Sequence, residues 1–349
     1  MEITNIKMME PNAVANRINW IDWAKAIAIT FVVFGHTPEE RGSFLLNFIV
    51  MFHMPLFFFI SGYLTKKEYF NKETFKKYTH TLIIPYFIYN IITYPFWVFR
   101  HIIESPNDGW LEFVKPILGT IFIQQTTFCS KPLNGVTWFL VALLIMKIIL
   151  SFCNKYEFGK YILFIVSVIC IISYIYNEFY KFTTDLVPIG FAKCMPFYLI
   201  GYLCKRREYL PTTYHKSDGI IFILCFTISI LFYNFNRNNF SLSTYGYLFW
   251  TICIFAIWGF FCLCRILDHI HTKFILTISI GTIVIMGLHG TVITITNLIF
   301  SKLLNVSGIT YPWYVAVLIS IAIVIIFYPV IILFKKKYPI MLGKNSLNF

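Results

Sequence analysis

The sequence predicts an all-α, polytopic membrane bundle of about ten helices, and three observations predict it. Of 349 residues, 58% are hydrophobic and 13% charged, with a mean hydropathy of +0.70, values that belong to a chain whose solvent is lipid. Apolar stretches of about 20 residues, the length that crosses a bilayer core, recur from end to end. Basic residues gather in alternate connections between them. No connection is long enough for a soluble domain, so a membrane domain over 18–334 is expected between tails at 1–17 and 335–349.

The expected spans run at about 18–35, 44–64, 82–103, 136–153, 161–176, 186–204, 219–235, 245–264, 275–300 and 313–334. A shorter apolar piece, 117–123, follows Pro116 and is too short to cross, which suggests a re-entrant or interfacial segment. With ten spans both chain ends share a side. That side then holds 20 Lys and Arg in its connections against 7 on the other, which puts both termini in the cytoplasm. The first apolar run carries Asp22 and Lys25 at its start and lacks a small-residue cleavage site, so it reads as a span and not as a signal peptide. Trp20, Trp23, Trp110, Tyr311 and Trp313 at span ends read as interfacial anchors.

A net charge of +13 raises the question of nucleic acid, but the basic residues are spread over many short loops and form no phosphate-binding stripe, so no nucleic-acid partner is expected. The nine cysteines lie mostly within apolar runs and read as buried thiols. Cys262 and Cys264 are too close for the usual two-cysteine zinc knuckle.

Ionisable groups inside a span cost about 3 kcal/mol or more unless they face protein or a wet cavity, so each is a functional candidate. The first span is the densest case, with Asp22, Lys25 and His36. Eleven steps of about 100° close to within about 20° of three turns, so Lys25 and His36 project from one face about 16.5 Å apart. Asp22 lies one turn before Lys25. The trio reads either as an interfacial Asp22–Lys25 ion pair with a water-facing histidine, or as a cation and an imidazole facing one cavity.

In the second span, His53 lies about 13 Å in from the outer side. Pro55 frees a carbonyl one turn earlier, while Ser61 and Gly62 are small enough for a neighbouring helix to approach closely. Two such histidines suit a metal, a proton relay or an acid/base site. No third ligand stands at a diagnostic spacing, so no metal is expected. A neutral imidazole suits proton removal from a hydroxyl. His289, flanked by Gly287 and Gly290, reads as a core histidine or a weaker site candidate. His80, His101, His215, His269 and His271 lie in or near loops and read as solvated, and Lys193 as snorkelling or cavity-lining. Glu39, Glu40 and Arg41, just beyond His36, are either a solvated loop or sugar contacts.

The run Asp22-Trp23-Ala24-Lys25, with Gly35-His36 at the far end of the same span, is followed by Phe52-His53-Met54-Pro55-Leu56-Phe57-Phe58-Phe59-Ile60-Ser61-Gly62-Tyr63. This opening resembles the acyltransferase-3 family of integral membrane acyltransferases, and within it the fucose 4-O-acetylase-like group. Weaker agreements are Thr137-Trp138-Phe139-Leu140, Tyr198-Leu199-Ile200-Gly201-Tyr202-Leu203, Ile280-Gly281 and Leu288-His289. The resemblance implies ten membrane helices with cytoplasmic termini, in a bacterial inner membrane. It also implies transfer of an acyl group, usually acetyl from acetyl-CoA, onto a hydroxyl of a sugar or envelope polysaccharide. Acyl-CoA is then a donor substrate, with no permanently bound cofactor.

The resemblance carries a donor role over to Lys25, and the residues read beside it give catalysis to His36 with His53, the donor to Lys25, Asp22, Lys66 and Lys67, and the acceptor to Glu39, Glu40, Arg41, Trp138 and His289. The broad family carries arginine where this chain has Lys25, and a lysine cannot make the bidentate guanidinium clamp. A transporter or flippase using the same residues as proton relays is the competing class.

Overall fold

Inside a bilayer a backbone must satisfy its own hydrogen bonds, and this chain does so with helices. The computed structural model describes residues 17–40, 43–123, 133–180, 186–211, 213–239, 248–306 and 309–344. Its helices, in chain order, begin with α1 (Asn19–His36), α2 (Phe44–Tyr63) and α3 (Lys72–Tyr78), which continues through a π-turn (Thr79–Ile83) into α4 (Ile84–Glu104). Then come α5 (Trp110–Phe122), α6 (Trp138–Cys153), α7 (Gly159–Tyr180), α8 (Leu186–Arg206) and α9 (Asp218–Asn239). The series ends with α10 (Phe249–Ile266), α11 (Lys273–Ile280), α12 (Thr282–Leu304) and α13 (Trp313–Lys337).

Nine helical runs among the described residues are long and apolar enough to cross a membrane: α2, the α3–α4 run, α6 to α10, α12 and α13. The protein is therefore an all-α polytopic bundle of the integral membrane class. The first expected span, α1, is not among the nine, and its position explains why. It is enclosed by α2, α10, α11, α12 and α13, with Ala24, Ala28, Ile29 and Val33 fully buried. A helix surrounded by protein can carry Asp22 and Lys25, because they meet the bundle interior and not hydrocarbon. The 13 residues of α5 rise only about 20 Å, short of the roughly 30 Å hydrocarbon core.

Two expected spans differ in detail. The ninth divides at Gly281 into α11 and α12, where a Cβ would stand 2.3 Å from the Ile331 side chain of α13. The third begins ten residues earlier than expected, at Lys72. Pro85 has no N–H to give, and the π-turn just before it absorbs the changed register.

Small residues set the closest contacts. A Cβ on Gly62 would lie 1.9 Å from the Tyr198 carbonyl oxygen, and one on Gly201 would lie 2.1 Å from that of Phe59, so α2 and α8 touch backbone to backbone. Pro55 withdraws the donor that the Met51 carbonyl would use, and the Cys253 thiol of α10 donates to that carbonyl at 3.7 Å. Asp218 and Arg265 tie α9 to α10 by a bidentate ion pair, with Nη2 to Oδ1 at 2.6 Å and Nε to Oδ2 at 3.1 Å. Both side chains are 2% exposed.

Trp20 is not an interfacial anchor. Trp20 is 1% exposed, with its ring 5.6 Å from Tyr63 and 5.5 Å from Phe261. The loop after α10 roofs this end of α1 and supplies the acceptors its first turn lacks. Asp268 Oδ1 accepts from the Trp20 amide at 2.8 Å, the Asp268 carbonyl from Asn19 Nδ2 at 2.6 Å, and the Ile270 carbonyl from Trp23 Nε1 at 2.9 Å.

Candidate functional site

At the N-terminal end of α1, Lys25 opens onto a cavity of about 560 Å³. Asp22, Lys66 and Lys67, all expected at the donor site, line the same cavity. So do Arg17, Lys205 and Arg206, which sequence reading counted only as orienting charges, and Tyr63, Thr65 and Tyr202. Six cations thus face one carboxylate. The basic triplet closing the sixth span was the available signal for Lys205 and Arg206, but nothing in the sequence says that α8 ends beside α1.

Asp22 does not pair with Lys25. It accepts from Arg17 Nε at 2.6 Å and Nη2 at 2.7 Å, and from Ser279 Oγ at 2.5 Å. A planar guanidinium matches a carboxylate bidentately where an ammonium cannot, so Arg17 takes the acid. Lys25 forms no ion pair with a described residue and keeps its charge for the cavity. The positive field extends beyond the lining. Burial first, and then the charges of Arg17 and Lys335, hold the Lys344 amine below its ordinary range.

At the other end of α1, Thr37 precedes Pro38, a context that disfavours helical geometry and ends the helix at His36. The stop is clamped. Thr37 Oγ1 lies 3.1 Å from Ser320 Oγ of α13, while the Tyr311 amide donates to the Pro38 carbonyl and the Glu40 amide to the Tyr311 carbonyl, each at 3.0 Å. His36 is exposed between buried neighbours Phe34 and Thr37.

The ring beside His36 is that of His289, with centroids 5.1 Å apart and planes at 54°. His289 is fully buried. Its Nδ1 lies 2.9 Å from the Ile285 carbonyl and 3.0 Å from that of Met286. Only a protonated Nδ1 satisfies those acceptors, which leaves Nε2 as the bare lone pair, and this buried Nε2 has no hydrogen-bond partner. His289 is therefore no satisfied core histidine.

His53 stands behind this pair. Its Cε1 would be 3.9 Å from a Cβ on Gly35, the residue before His36, and its Nδ1 lies 3.2 Å from the Ile49 carbonyl. Glu39, one reading of which was a solvated loop, is 7% exposed, with neither carboxylate oxygen hydrogen-bonded. Glu40 is exposed, and Arg41 lies outside the described residues. Trp138 packs on Phe58, with centroids 5.9 Å apart, and its ring occupies the space a Gly190 Cβ would need. It is not brought to the histidines. Lys193 stands 4.9 Å over the Phe249 ring, which places it on an aromatic face within the bundle.

The expectation of one cavity shared by Lys25 and His36 needs correction. The cavity lining at the N-terminal end includes Ile21 and Lys25 but not His36. On the stripe between them, Ile29 and Val32 are 0% and 1% exposed. The helix offers both groups on one face, but packed aliphatic side chains separate them.

A cationic pocket at one end suits an anionic ligand, and an imidazole pair at the other suits a proton transfer. No curated protein and no solved structure matches this chain. The acyltransferase-domain family does, over residues 18–341, which is nearly the whole membrane bundle. The chain belongs to that acyltransferase-3 family and is a membrane acyltransferase.

Proposed function

We propose that the protein is a membrane O-acyltransferase that moves an acyl group, acetyl in the first instance, from acyl-CoA to a hydroxyl of a sugar or cell-surface polysaccharide, as its likeness to the fucose 4-O-acetylase-like group suggests. The observation that carries the donor half of this reading is the six-cation cavity around Lys25. Coenzyme A is a polyphosphate on a long flexible arm, and positive charge in a partly enclosed pocket attracts and holds such a group. Lys25, Arg17, Lys66, Lys67, Lys205 and Arg206 receive the phosphates. Asp22 holds Arg17 in place.

The thioester arm then extends along α1 towards His36, which requires the packed side chains of Ile29 and Val32 to part as it enters. His36 removes the proton of the acceptor hydroxyl as its oxygen attacks the thioester carbonyl. The carbon–sulfur bond breaks, and the departing thiolate takes the proton back from the imidazolium. His289 Nε2, without a hydrogen-bond partner in the resting structure, takes up a hydrogen bond from the His36 ring as that ring becomes imidazolium and fixes its orientation, and His53 supports the ring from behind. Glu39, buried without a partner, offers its carboxylate to acceptor hydroxyls.

Purified protein with acetyl-CoA and candidate glycans tests the reading. Acceptor-dependent release of CoA, lost in His36→Ala and retained in His269→Ala, is the expected result. Transport of a glycan or lipid with no CoA consumed overturns it.

A further inference from the structure

A second cavity, of about 800 Å³, lies between α4 and α12 at the end of the bundle away from the Lys25 cavity. Its shape follows from one contact. A Cβ on Gly287 would stand 2.3 Å from the Tyr89 ring, so α4 and α12 touch there. Beyond that point they enclose a groove with Phe96, Phe99 and Ile103 on one wall and Ile295, Leu298 and Ile299 on the other. All six side chains are at least 39% exposed, so the walls open sideways towards hydrocarbon. Asn134 of the segment before α6 closes the floor by donating to the Gly287 carbonyl at 2.6 Å.

Two features distinguish this groove from ordinary lipid-facing surface. Arg100 and Lys302 line its outer part. Arg100 shares its charge with Glu104 at 3.2 Å, whereas Lys302 is exposed and forms no ion pair with a described residue. At the inner end, nothing lies within 4 Å of where a Gly290 side chain would be. From Gly290 to Lys302 the helix rises about 18 Å, close to the roughly 15 Å that one leaflet contributes to the hydrocarbon core. A lipid with its head at Lys302 therefore ends its chain beside Gly290, the residue after His289.

We propose that this groove is a binding site for one anionic glycerophospholipid of the bilayer, its acyl chains between α4 and α12 and its phosphate on Lys302 and Arg100. Basic side chains at a gap between membrane helices favour anionic head groups. A zwitterionic head carries an ammonium that Lys302 repels. The site is separate from the acyl-CoA cavity, and its occupancy does not depend on acyl transfer.

The test is native mass spectrometry of the detergent-purified full chain, titrated with phosphatidylglycerol and phosphatidylcholine of identical acyl chains. The wild type retains phosphatidylglycerol about fivefold more tightly, the ratio expected for one interfacial cation. Lys302→Gln abolishes the preference and Lys302→Arg keeps it, while Gly290→Leu weakens both lipids alike by filling the inner end. Equal retention of the two lipids by the wild type, or a preference that survives Lys302→Gln, overturns the proposal. Lys302 is exposed, so its substitution leaves the fold intact.

Discussion

The imidazoles of His36 and His289, 253 positions apart in the chain, meet with ring centroids 5.1 Å apart. One comes from the end of α1, where Pro38 stops the helix. The other comes from the third turn of α12, where two backbone carbonyls hold its Nδ1. The reactive-looking unit is thus a pair formed across the bundle.

If the two rings act together, His289→Ala lowers kcat about as far as His36→Ala, by about a hundredfold or more. The double variant is no worse than either single one, because groups that act as a unit are not additive. His53→Ala, which removes only support, costs about tenfold or less. Steady-state kinetics of the four variants decides it, and full activity in His289→Ala returns that residue to the packing.

Lys25→Gln raises the KM for acyl-CoA about tenfold or more, the cost of losing a charged hydrogen bond, with a smaller effect on kcat. Lys25→Arg stays within a few-fold. Because the cavity is open to solvent, added salt raises the wild-type KM by screening and narrows the gap to Lys25→Gln. A KM indifferent to both salt and Lys25 places the donor elsewhere.

Val32 lies about 20° from Lys25 and about 40° from His36 around the α1 axis, and it is buried between them. Val32→Trp therefore leaves CoA binding by equilibrium titration unchanged while kcat collapses. Normal turnover in a folded Val32→Trp variant shows that the thioester takes another path.

Gly62→Ala forces a methyl to within 1.9 Å of the Tyr198 carbonyl oxygen. Overpacking of this kind costs about 1–3 kcal/mol, and backbone cannot rotate away as a side chain can. A lowered thermal midpoint is expected, with Gly201→Ala matching it. Gly109→Ala, which meets no atom within 4 Å, serves as the control.

Arg265→Met leaves Asp218 charged and enclosed, and costs about 3–5 kcal/mol. Replacing both partners, Asp218→Leu with Arg265→Met, recovers most of that loss. The KM and kcat of the folded fraction stay at wild-type values in each case, since the pair touches neither end of α1 that the reaction uses. Denaturation in detergent together with kinetics on folded protein separates the two effects.

The amino-acid order alone determined the helical membrane class, nearly every span, and the stripe that puts Asp22, Lys25 and His36 on one face. Those features depend on local hydropathy and a period of 3.6, which any contiguous window carries. It also marked Gly62 as a contact point and Pro55 as a source of a free carbonyl, though not that Tyr198 and Cys253 answer them. Tertiary structure decided the rest. It gave Asp22 to Arg17 and not to Lys25, enclosed Trp20 in the core, and buried Ile29 and Val32 between the two ends of the stripe. It made His289 the partner of His36 and added Lys205 and Arg206 to the Lys25 cavity. These outcomes turn on which helices lie side by side, and apolar helices of similar length give a sequence little to specify that choice. Helix packing in a bilayer is set by small-residue contacts and a few buried hydrogen bonds, which become visible only once the helices are docked.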